Sequence, residues 1–462
     1  MCQIIGKNCY FLVALVLKQA KNIFLSICLV LLCGLNSLAQ KPVIESQFLP
    51  SSLIQVEPHI AADPKDPNKL VVASIGFEPN GRWSMVSWVT SDGGKTWKVV
   101  PIPGIEDADL VADPWLAFDS EGRVYLAHLA RRKEGYRGVR IEIHKSTDGG
   151  NSWEPPVDVP RGTGMSFDHP TLAIDRSSGL YSGTVYVVGS QGVWSRGRNA
   201  AYRIGVARWL PGIASIEPAD GFIFGHFNQV NGDVLVLKDG VLLVPYFEIS
   251  QIIGNTEQRL KSMRVMVTRS FDGGRNFEPP FLVAENAPNG GFPRSAIDES
   301  NSPHRGTIYL MWRGTDSDPR AMVSISKTLG ETWQTPVFIA PPTSSTSKQN
   351  LVNGAVNRDG VLGVAWKELQ NDDCYIVRFA TSEDAAKTFA SPITLTEKPV
   401  CPKSPRHLLT TSDNKPFDVA QRFRSGGDYF GLTAAADGSF HLVFADIGEN
   451  GTYQTRHTRI TK

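Results

Sequence analysis

A segment of eight residues recurs along the chain and constrains its fold more than any other feature. The copies follow the pattern Ser/Thr-x-Asp-x-Gly-x-x-Trp/Phe, here called the Asp box. Three copies are complete, TSDGGKTW at 90–97, STDGGNSW at 146–153 and SFDGGRNF at 270–277, and two are degenerate, SKTLGETW at 326–333 and SEDAAKTF at 382–389. Their third positions are spaced by 56, 124, 56 and 56 residues. Since 124 is about two periods, we expect a unit without a recognisable box near residue 210.

The composition of the Asp box indicates a tight turn between two strands. The residues at its third position are Asp92, Asp148, Asp272, Thr328 and Asp384. A short aspartate accepts hydrogen bonds from backbone N–H groups just ahead of it, and glycine takes the positive φ that other residues avoid. The aromatic residue then packs the turn onto the sheet. Thr328 therefore predicts a looser turn, and Ala386, which replaces the glycine of the fifth box, predicts a strained one.

A second repeat lies between the boxes. It is a short strand that ends in alanine, an apolar residue and Asp or Asn, at 61–63, 117–119, 173–175, 296–298, 355–357 and 435–437, with a degenerate copy at 236–238. Turn residues follow, and then a strongly apolar strand such as RVYLAHL or TIYLMWR. These two strands are predicted to pair as a hairpin. A third strand leads into the Asp box and a fourth leaves it.

Four strands per unit of roughly 56–63 residues, without sustained helical periodicity, predict an all-β fold. We expect a single β-propeller of four-stranded antiparallel blades. The innermost strands number seven, which favours seven blades, and six is the alternative if the third or fourth unit is misassigned. The last unit, 428–462, holds only three strands. Residues 43–50 are therefore expected to supply its fourth strand and close the ring.

The first 39 residues differ in composition from the rest of the chain. Three lysines precede an apolar run from Ile23 to Leu35, and the segment ends in Ser-Leu-Ala. This pattern predicts a signal peptide at 1–39 and a β-propeller domain at 40–462, in a secreted or periplasmic protein. An uncleaved membrane anchor is one alternative, although the apolar run is short for a span. A lipoprotein modified at Cys33 is the other, although the residue before it is a large leucine.

Two cysteines remain in the predicted domain, Cys374 and Cys401. Cys401 opens a Pro- and charge-rich insert at about 398–427, which delays the seventh unit by about 20 residues. In a propeller the insert and the start of the third strand of blade six belong to the same face. We therefore predict a disulfide between the two cysteines, as expected of an exported protein.

Charge is balanced, with 47 Lys and Arg against 46 Asp and Glu, so the composition gives no indication of nucleic-acid binding. The sequence contains no cysteine cluster or HExxH pattern for zinc. We expect no obligatory cofactor, with Ca²⁺ as an optional ligand, no membrane span after cleavage of the signal peptide, and a monomer.

The Asp boxes resemble the bacterial neuraminidase repeats (BNR repeats) of the sialidase-like propellers. TSDGGKTW and STDGGNSW match that motif, and the phrases EPHIAADP, DPWLAFD and HPTLAID are similar to the blade openings of secreted bacterial members. The resemblance covers nearly all of 43–462. It implies the propeller fold and a glycosidase that acts on an acidic sugar. Asp boxes themselves are structural and occur in propellers of several functions.

Sialidases hold the substrate carboxylate with three arginines, and use a tyrosine activated by a glutamate as nucleophile and an aspartate as acid/base. They carry Phe/Tyr-Arg-Ile-Pro before the first box, whereas the first arginine of this chain is Arg82. They also have six blades, whereas this sequence predicts seven. Carbohydrate binding without catalysis, or binding of a protein, is therefore the alternative to an exo-glycosidase.

Carboxylates converge on the predicted channel mouth, on the face opposite the Asp boxes. Glu57 and Asp113 occupy the same register, with Asp168, His169 and Asp428 near them. Converging carboxylates could perform acid/base chemistry or bind Ca²⁺. They could equally be ordinary Glu-Pro and Asp-Pro starts of strands and turns.

Arginines on the same face are candidates for binding an acidic ligand. Arg294 lies in an innermost strand, where it must face the channel or form a salt bridge between blades. The others are Arg313, Arg422 and Arg424, which could instead be solvated loop charges. Tyr429 is the best-placed candidate nucleophile, without a motif that pairs it with a glutamate. The catalytic candidates are thus Glu57, Asp113, Asp428 and Tyr429, and the substrate-binding candidates are Asp168, His169, Arg294, Arg313, Arg422 and Arg424.

Overall fold

The structure is a computed structural model that describes residues 42–132, 138–160, 166–195, 198–222, 228–249, 263–287, 291–315, 317–370, 374–411 and 414–461. Seven antiparallel sheets, six of four strands and one of five, are built from successive parts of the chain. They are the blades of a β-propeller, which confirms the predicted fold and the seven blades, and the six-blade alternative is wrong. The predicted signal peptide at 1–39 lies outside the described residues.

The first four blades follow one another along the chain. Blade 1 contains β2 (Ile54–Ala62), β3 (Leu70–Phe77), β4 (Trp83–Thr90) and β5 (Lys98–Val100). Blade 2 contains β6 (Ala108–Phe118), β7 (Val124–Arg132), β8 (Arg140–Ser146) and β9 (Val157–Asp158). Blade 3 contains β10 (Ser166–Ile174), β11 (Val185–Ser195), β12 (Arg198–Trp209) and β13 (Glu217–Phe222). Blade 4 contains β14 (Asn228–Asn231), β15 (Leu235–Val236), β16 (Leu242–Ile249), β17 (Met263–Ser270) and β18 (Phe281–Ala287).

The remaining blades carry the insert and the ring closure. Blade 5 contains β19 (Arg294–Ile297), β20 (Ile308–Arg313), β21 (Ala321–Ser326) and β22 (Val337–Phe338). Blade 6 contains β23 (Lys348–Val356), β24 (Leu362–Leu369), β25 (Tyr375–Ser382) and β26 (Ile393–Thr394). The insert contains α1 (Ser404–His407), β27 (Leu408–Thr410), β28 (Pro416–Asp418) and α2 (Val419–Arg422). Blade 7 contains β29 (Gly431–Ala434), β30 (Phe440–Ile447), β31 (Tyr453–Thr461) and β1 (Val43–Phe48).

Hydrophobic packing between blades explains why the second strand of each unit is so apolar. All eight residues of β3 are buried, as expected for a strand that is covered on both faces. One core cluster joins Val71 and Ala73 of blade 1 to Leu116 and Leu126 of blade 2. The core therefore lies between neighbouring blades and leaves the central axis to the innermost strands.

The Asp boxes form the predicted turns between the third and fourth strands. Asp92 Oδ1 accepts hydrogen bonds from the N–H groups of Lys95 (3.0 Å) and Thr96 (2.9 Å). In the fourth box the hydroxyl of Thr328 accepts one backbone N–H, from Thr332 at 2.8 Å. Ala386 adopts a left-handed conformation (φ 62°), which gives the strain expected for a residue in the glycine position.

Blade 4 departs from the repeat at its inner edge. Its innermost strand is split into β14 and β15, and between them the backbone at Gly232 lies close to Pro293, whose carbonyl oxygen is 2.0 Å from where a Cβ would be. The degenerate copy at 236–238 is thus only the end of this strand. The missing box near residue 210 is a turn in which Trp209 donates its indole N–H to Ile213 O at 2.8 Å.

The N-terminal strand closes the ring, as predicted. β1 lies beside β31 as the outermost strand of blade 7. Ser46 Oγ and Thr458 Oγ1 are 2.8 Å apart, and Leu49 N–H donates to Thr455 O at 2.9 Å. The chain then crosses to blade 1, where Trp88 Nε1–H donates to Pro50 O at 2.8 Å. The first and last parts of the domain are thereby joined.

The insert covers one face of blades 1 and 7. Phe417 and Phe423 pack against Phe77, with ring centroids 5.5 Å away in each case. The Tyr453 N–H of blade 7 donates to His407 Nε2 at 3.0 Å. Cys374 and Cys401 form a disulfide in the structure, with a sequence separation of 27. Among the described residues, no helix is both long and apolar enough to cross a membrane.

Candidate functional site

Three neighbouring innermost strands carry the same distortion near the channel axis. Glu57, Asp113 and His169 adopt left-handed backbone conformations with φ of 53°, 52° and 51°. A bulge interrupts the strand register at each of them. They are spaced by 56 residues, so the repeat places them at equivalent positions of blades 1, 2 and 3. Leu351 (φ 49°) occupies the corresponding bulge of blade 6.

These bulges turn polar side chains toward the axis at a cost in backbone energy. A proline follows each of the three polar residues. A residue before proline ordinarily adopts an extended conformation, so a left-handed conformation there is unfavourable. Such strain, of order 1–3 kcal/mol per residue, tends to cluster at functional sites. The bulges therefore mark this end of the channel, here called the mouth.

A pair of interacting carboxyl groups is the central feature of the mouth. Glu57 and Asp113 lie close enough to influence each other's ionisation, since the charge of Asp113 raises the pKa of Glu57. Glu57 is 3% exposed, whereas Asp113 is only partly buried and reaches the solvent side. Asp428 N–H donates to Glu57 Oε1 at 2.7 Å and fixes the orientation of the buried member.

Both carboxyl groups hold their protons more tightly than usual. Burial, followed by the charges of Asp113 and Asp428, raises the pKa of Glu57 well above its ordinary value. Burial, followed by the charges of Asp168 and Asp428, raises the pKa of Asp113 to about 8. At neutral pH the pair is therefore a proton donor.

A glycine allows the insert to reach the carboxyl pair. Gly427 has φ 101°, and a Cβ at this position would lie 2.0 Å from Glu57 Cγ. Any other residue would both be strained and displace the glutamate. The turn ending at Gly427 thus places Asp428 and Tyr429 at the mouth.

Lys367 lies behind the pair and was not anticipated from the sequence. It is fully buried in β24, and its ammonium group donates to Ser425 O. Burial lowers the pKa of Lys367 to about 7, although the charges of Glu57 and Asp428 oppose this shift. Its one sequence signal is a charged residue within the apolar strand VLGVAWK. Lys367 ties the turn before Asp428 to blade 6.

Exposed charges surround the opening. Asp168 and Asp428 are exposed, as are Arg422 and Arg424 of the insert. Burial raises the pKa of Asp168, as does the charge of Asp428, and the charge of Arg422 opposes the increase. Arg313 ends β20. The mouth therefore presents both acidic and basic side chains to a ligand.

Tyr429 lies beneath these charges and is 4% exposed. Burial, together with the charges of Asp113 and Glu57, raises its pKa well above the ordinary value. A tyrosine nucleophile needs the opposite shift, so this environment does not favour a phenolate. The ring lies 5.6 Å from His169, which itself stacks on Phe292 at 3.4 Å.

Arg294 is placed deeper in the channel, below Tyr429. Its Nε lies 3.0 Å from Asp233 Oδ2, and its guanidinium lies 4.8 Å from the ring of Trp115. The ring of His59 also packs against Trp115, with the two ring centroids 4.2 Å apart. Arg294 is therefore in a salt bridge between blades 4 and 5, one of the two alternatives considered for it.

The structure thus brings together most of the candidate residues. Glu57, Asp113, Asp428 and Tyr429 meet at the mouth, and Arg294 lies below them. Sequence reasoning missed Lys367, Asp233 and His59. Among the described residues, no group of three or more His, Cys, Asp or Glu side chains is arranged to hold a metal ion.

Solved structures with similar folds include a protein of unknown function from Dyadobacter fermentans, 13% identical with a TM-score of 0.49, covering 90% of this chain and 97% of that one. The Hadza microbial sialidase Hz136 is 16% identical with a TM-score of 0.48, covering 85% and 74%. A GH93 α-L-arabinofuranosidase of Fusarium graminearum is 15% identical with a TM-score of 0.46, covering 69% and 90%. No protein-family model and no curated protein match the chain. At these identities and TM-scores the likenesses carry no information about activity.

Proposed function

We propose that the protein is an exported glycoside hydrolase that acts at the channel mouth on a glycan with an acidic sugar. The observation that carries this proposal is that Glu57 and Asp113 occupy equivalent left-handed bulges of neighbouring blades and interact at the channel mouth. Cleavage of a glycosidic bond requires a group that is still protonated at neutral pH and can protonate the leaving oxygen. Asp113 meets this requirement through its pKa of about 8 and its partial exposure.

The other groups of the mouth have complementary roles in this proposal. Asp428 and Asp168 are the exposed carboxylates that activate water or stabilise the positive charge developing on the sugar. Arg422 and Arg424 supply cations for an acidic substituent. Tyr429 serves as a wall of the site, because its raised pKa disfavours the nucleophile role. Glu57 holds and orients Asp113.

The test is hydrolysis of fluorogenic glycosides, sialosides and uronides included, by the purified protein. We expect turnover that falls as the pH rises through about 8, because Asp113 loses its proton there. Asp113→Asn removes the proton donor and is expected to lower kcat at least 100-fold. Asp359→Asn is the matched control, since Asp359 is 64% exposed in the hairpin that joins β23 and β24 at the opposite face.

A binding protein without catalysis is the second candidate, and it is favoured by the burial and raised pKa of Tyr429. It predicts glycan binding that the Asp113→Asn variant retains, with no hydrolysis of any glycoside by the unmodified protein. Hydrolysis that survives Asp113→Asn unchanged would remove the carboxyl pair from the mechanism.

A further inference from the structure

A second cavity lies in the channel below the mouth. It has a volume of about 230 Å³ and is here called the channel chamber. Its lining includes His59, Trp115, Asp233, Arg294 and Ser295, which belong to four different blades. Arg294 also lines the small cavity above it, so this residue separates the chamber from the mouth.

The ion pair in the chamber has unused hydrogen-bonding capacity. Arg294 is 5% exposed and Asp233 is 8% exposed. Within the described part of the chain, Arg294 Nη1 and Asp233 Oδ1 are buried without a hydrogen-bond partner. The other oxygen of Asp233 already contacts Arg294 and the N–H of Ser295 (3.4 Å). The ion pair thus contains a buried donor and a buried acceptor of opposite charge that both lack a hydrogen-bond partner, and such groups are costly unless something satisfies them.

The surroundings restrict the direction and the charge of a ligand. Trp115 lies against the Arg294 guanidinium at 4.8 Å, so we expect a ligand to approach its edge, the geometry that suits a carboxylate. Leu116 N–H donates to His59 Nδ1 at 3.2 Å, which leaves the ring proton on Nε2 as a further donor. Because the ion pair is neutral overall, a ligand with net charge would leave an uncompensated charge in a buried site.

We infer that the channel chamber binds a small zwitterion of the amino-acid class, whose carboxylate accepts from Arg294 and whose ammonium group donates to Asp233. Such a ligand satisfies both orphaned atoms and adds no net charge. The site is distinct from the mouth and does not depend on glycoside hydrolysis.

The test is titration calorimetry of the purified protein with glycine, L-alanine and L-serine at pH 7.5. We expect at least one of them to bind, with acetate and methylammonium at least tenfold weaker because each satisfies only one of the two atoms. Arg294→Gln and Asp233→Asn should each weaken binding at least tenfold. Arg358→Gln, an exposed arginine at 62%, is the matched control and should bind as the unmodified protein does.

A third variant guards against loss of folding in the first two. Ala117 lines the chamber without taking part in the ion pair, so Ala117→Leu should reduce binding by filling space while the thermal melt stays cooperative. The inference is overturned if none of the three amino acids binds, if acetate binds as tightly as they do, or if Ala117→Leu leaves their affinity unchanged. Binding of methyl glucoside instead would make the chamber a sugar site.

Discussion

At the scale of single residues, the mouth is formed by residues whose backbone conformation differs from the one that their local sequence favours. Glu57, Asp113 and His169 each precede a proline, yet each is left-handed. Their common spacing of 56 residues was visible in the sequence and shows that His169, and not Asp168, is equivalent to the other two. The conformation itself was not visible, because a residue before proline is ordinarily extended.

The raised pKa of Asp113 predicts an unusual pH dependence of stability. The folded pKa of about 8 exceeds the unfolded value of about 4, so the folded state holds a proton that the unfolded state releases between these values. The contribution of this group is fully present below pH 4 and is lost as the pH rises toward 8. Asp113→Asn, which cannot ionise, is therefore expected to gain on the order of 4 kcal/mol relative to the unmodified protein as the pH rises from 4.5 to 8, because each pKa unit corresponds to about 1.4 kcal/mol.

Urea unfolding of the two proteins at pH 4.5 and pH 8 measures this difference. The gain should shrink toward zero at the lower pH, and Asp359→Asn should show no such trend. A constant difference at both pH values would mean that Asp113 titrates normally.

The residues that sequence reasoning missed share one physical cause. Lys367 and Asp233 come from blades 6 and 4 and acquire their roles only through contact with residues far away in the chain. Burial and the neighbouring charges set the pKa values of Lys367 and Asp233, and a strand pattern in the sequence predicts neither. The charged position within an apolar strand was the available signal, and it was used for Arg294 alone.

At the scale of elements, the Asp box tolerates loss of its defining residues because several hydrogen bonds stabilise the turn. In the fifth box Ala386 N–H still donates to Ser382 Oγ at 2.9 Å, and Thr388 N–H still donates to Asp384 at 2.9 Å. The sequence therefore predicted this turn even with alanine in the glycine position. Blade 4 was harder to interpret, because its inner strand is split where Gly232 approaches Pro293, a contact between residues far apart in sequence.

The strain at Ala386 predicts a stabilising substitution. A left-handed conformation destabilises an alanine by about 1 kcal/mol or more, and glycine removes this strain. Glycine is also more flexible in the unfolded chain, which offsets part of the gain in stability. Ala386→Gly is expected to raise the free energy of unfolding by about 0.5 kcal/mol. Ala436→Gly, at a position with negative φ, should lower it by a similar amount. Chemical denaturation of the three proteins measures both changes, and a loss of stability in Ala386→Gly would show that this turn is unstrained.

At the scale of the whole molecule, the insert is held to the propeller at both ends. Next to the disulfide, Tyr375 and Val400 exchange two backbone hydrogen bonds of 3.0 and 2.7 Å. At the other end Gly427 approaches Glu57. The disulfide therefore links blade 6 covalently to the insert, whose last turn places Asp428 at the mouth.

Loss of the disulfide is expected to destabilise the molecule. The bond closes a loop with a sequence separation of 27 residues, which corresponds to roughly 3 kcal/mol in the chain-entropy model. Cys401→Ser should lower the free energy of unfolding by about this amount. Mass spectrometry of the unreduced purified protein should show the bonded pair, and two free thiols there would contradict the structure.

Closure of the ring predicts what a shortened chain would do. Without residues 43–50 the blade 7 strand β31 becomes an exposed edge, which favours pairing with other chains, and Trp88 loses its bond to Pro50. A chain that begins at Ser51 is expected to melt at a lower temperature and to self-associate in comparison with a chain that begins at Lys41. Calorimetry and light scattering measure the two effects. A synthetic peptide of residues 42–50 should restore the melting temperature of the shortened chain, because the docking strand contributes the same contacts when it is supplied separately. If the shortened chain melts normally without the peptide, the six remaining complete blades and the three strands of blade 7 hold the ring by their packing alone.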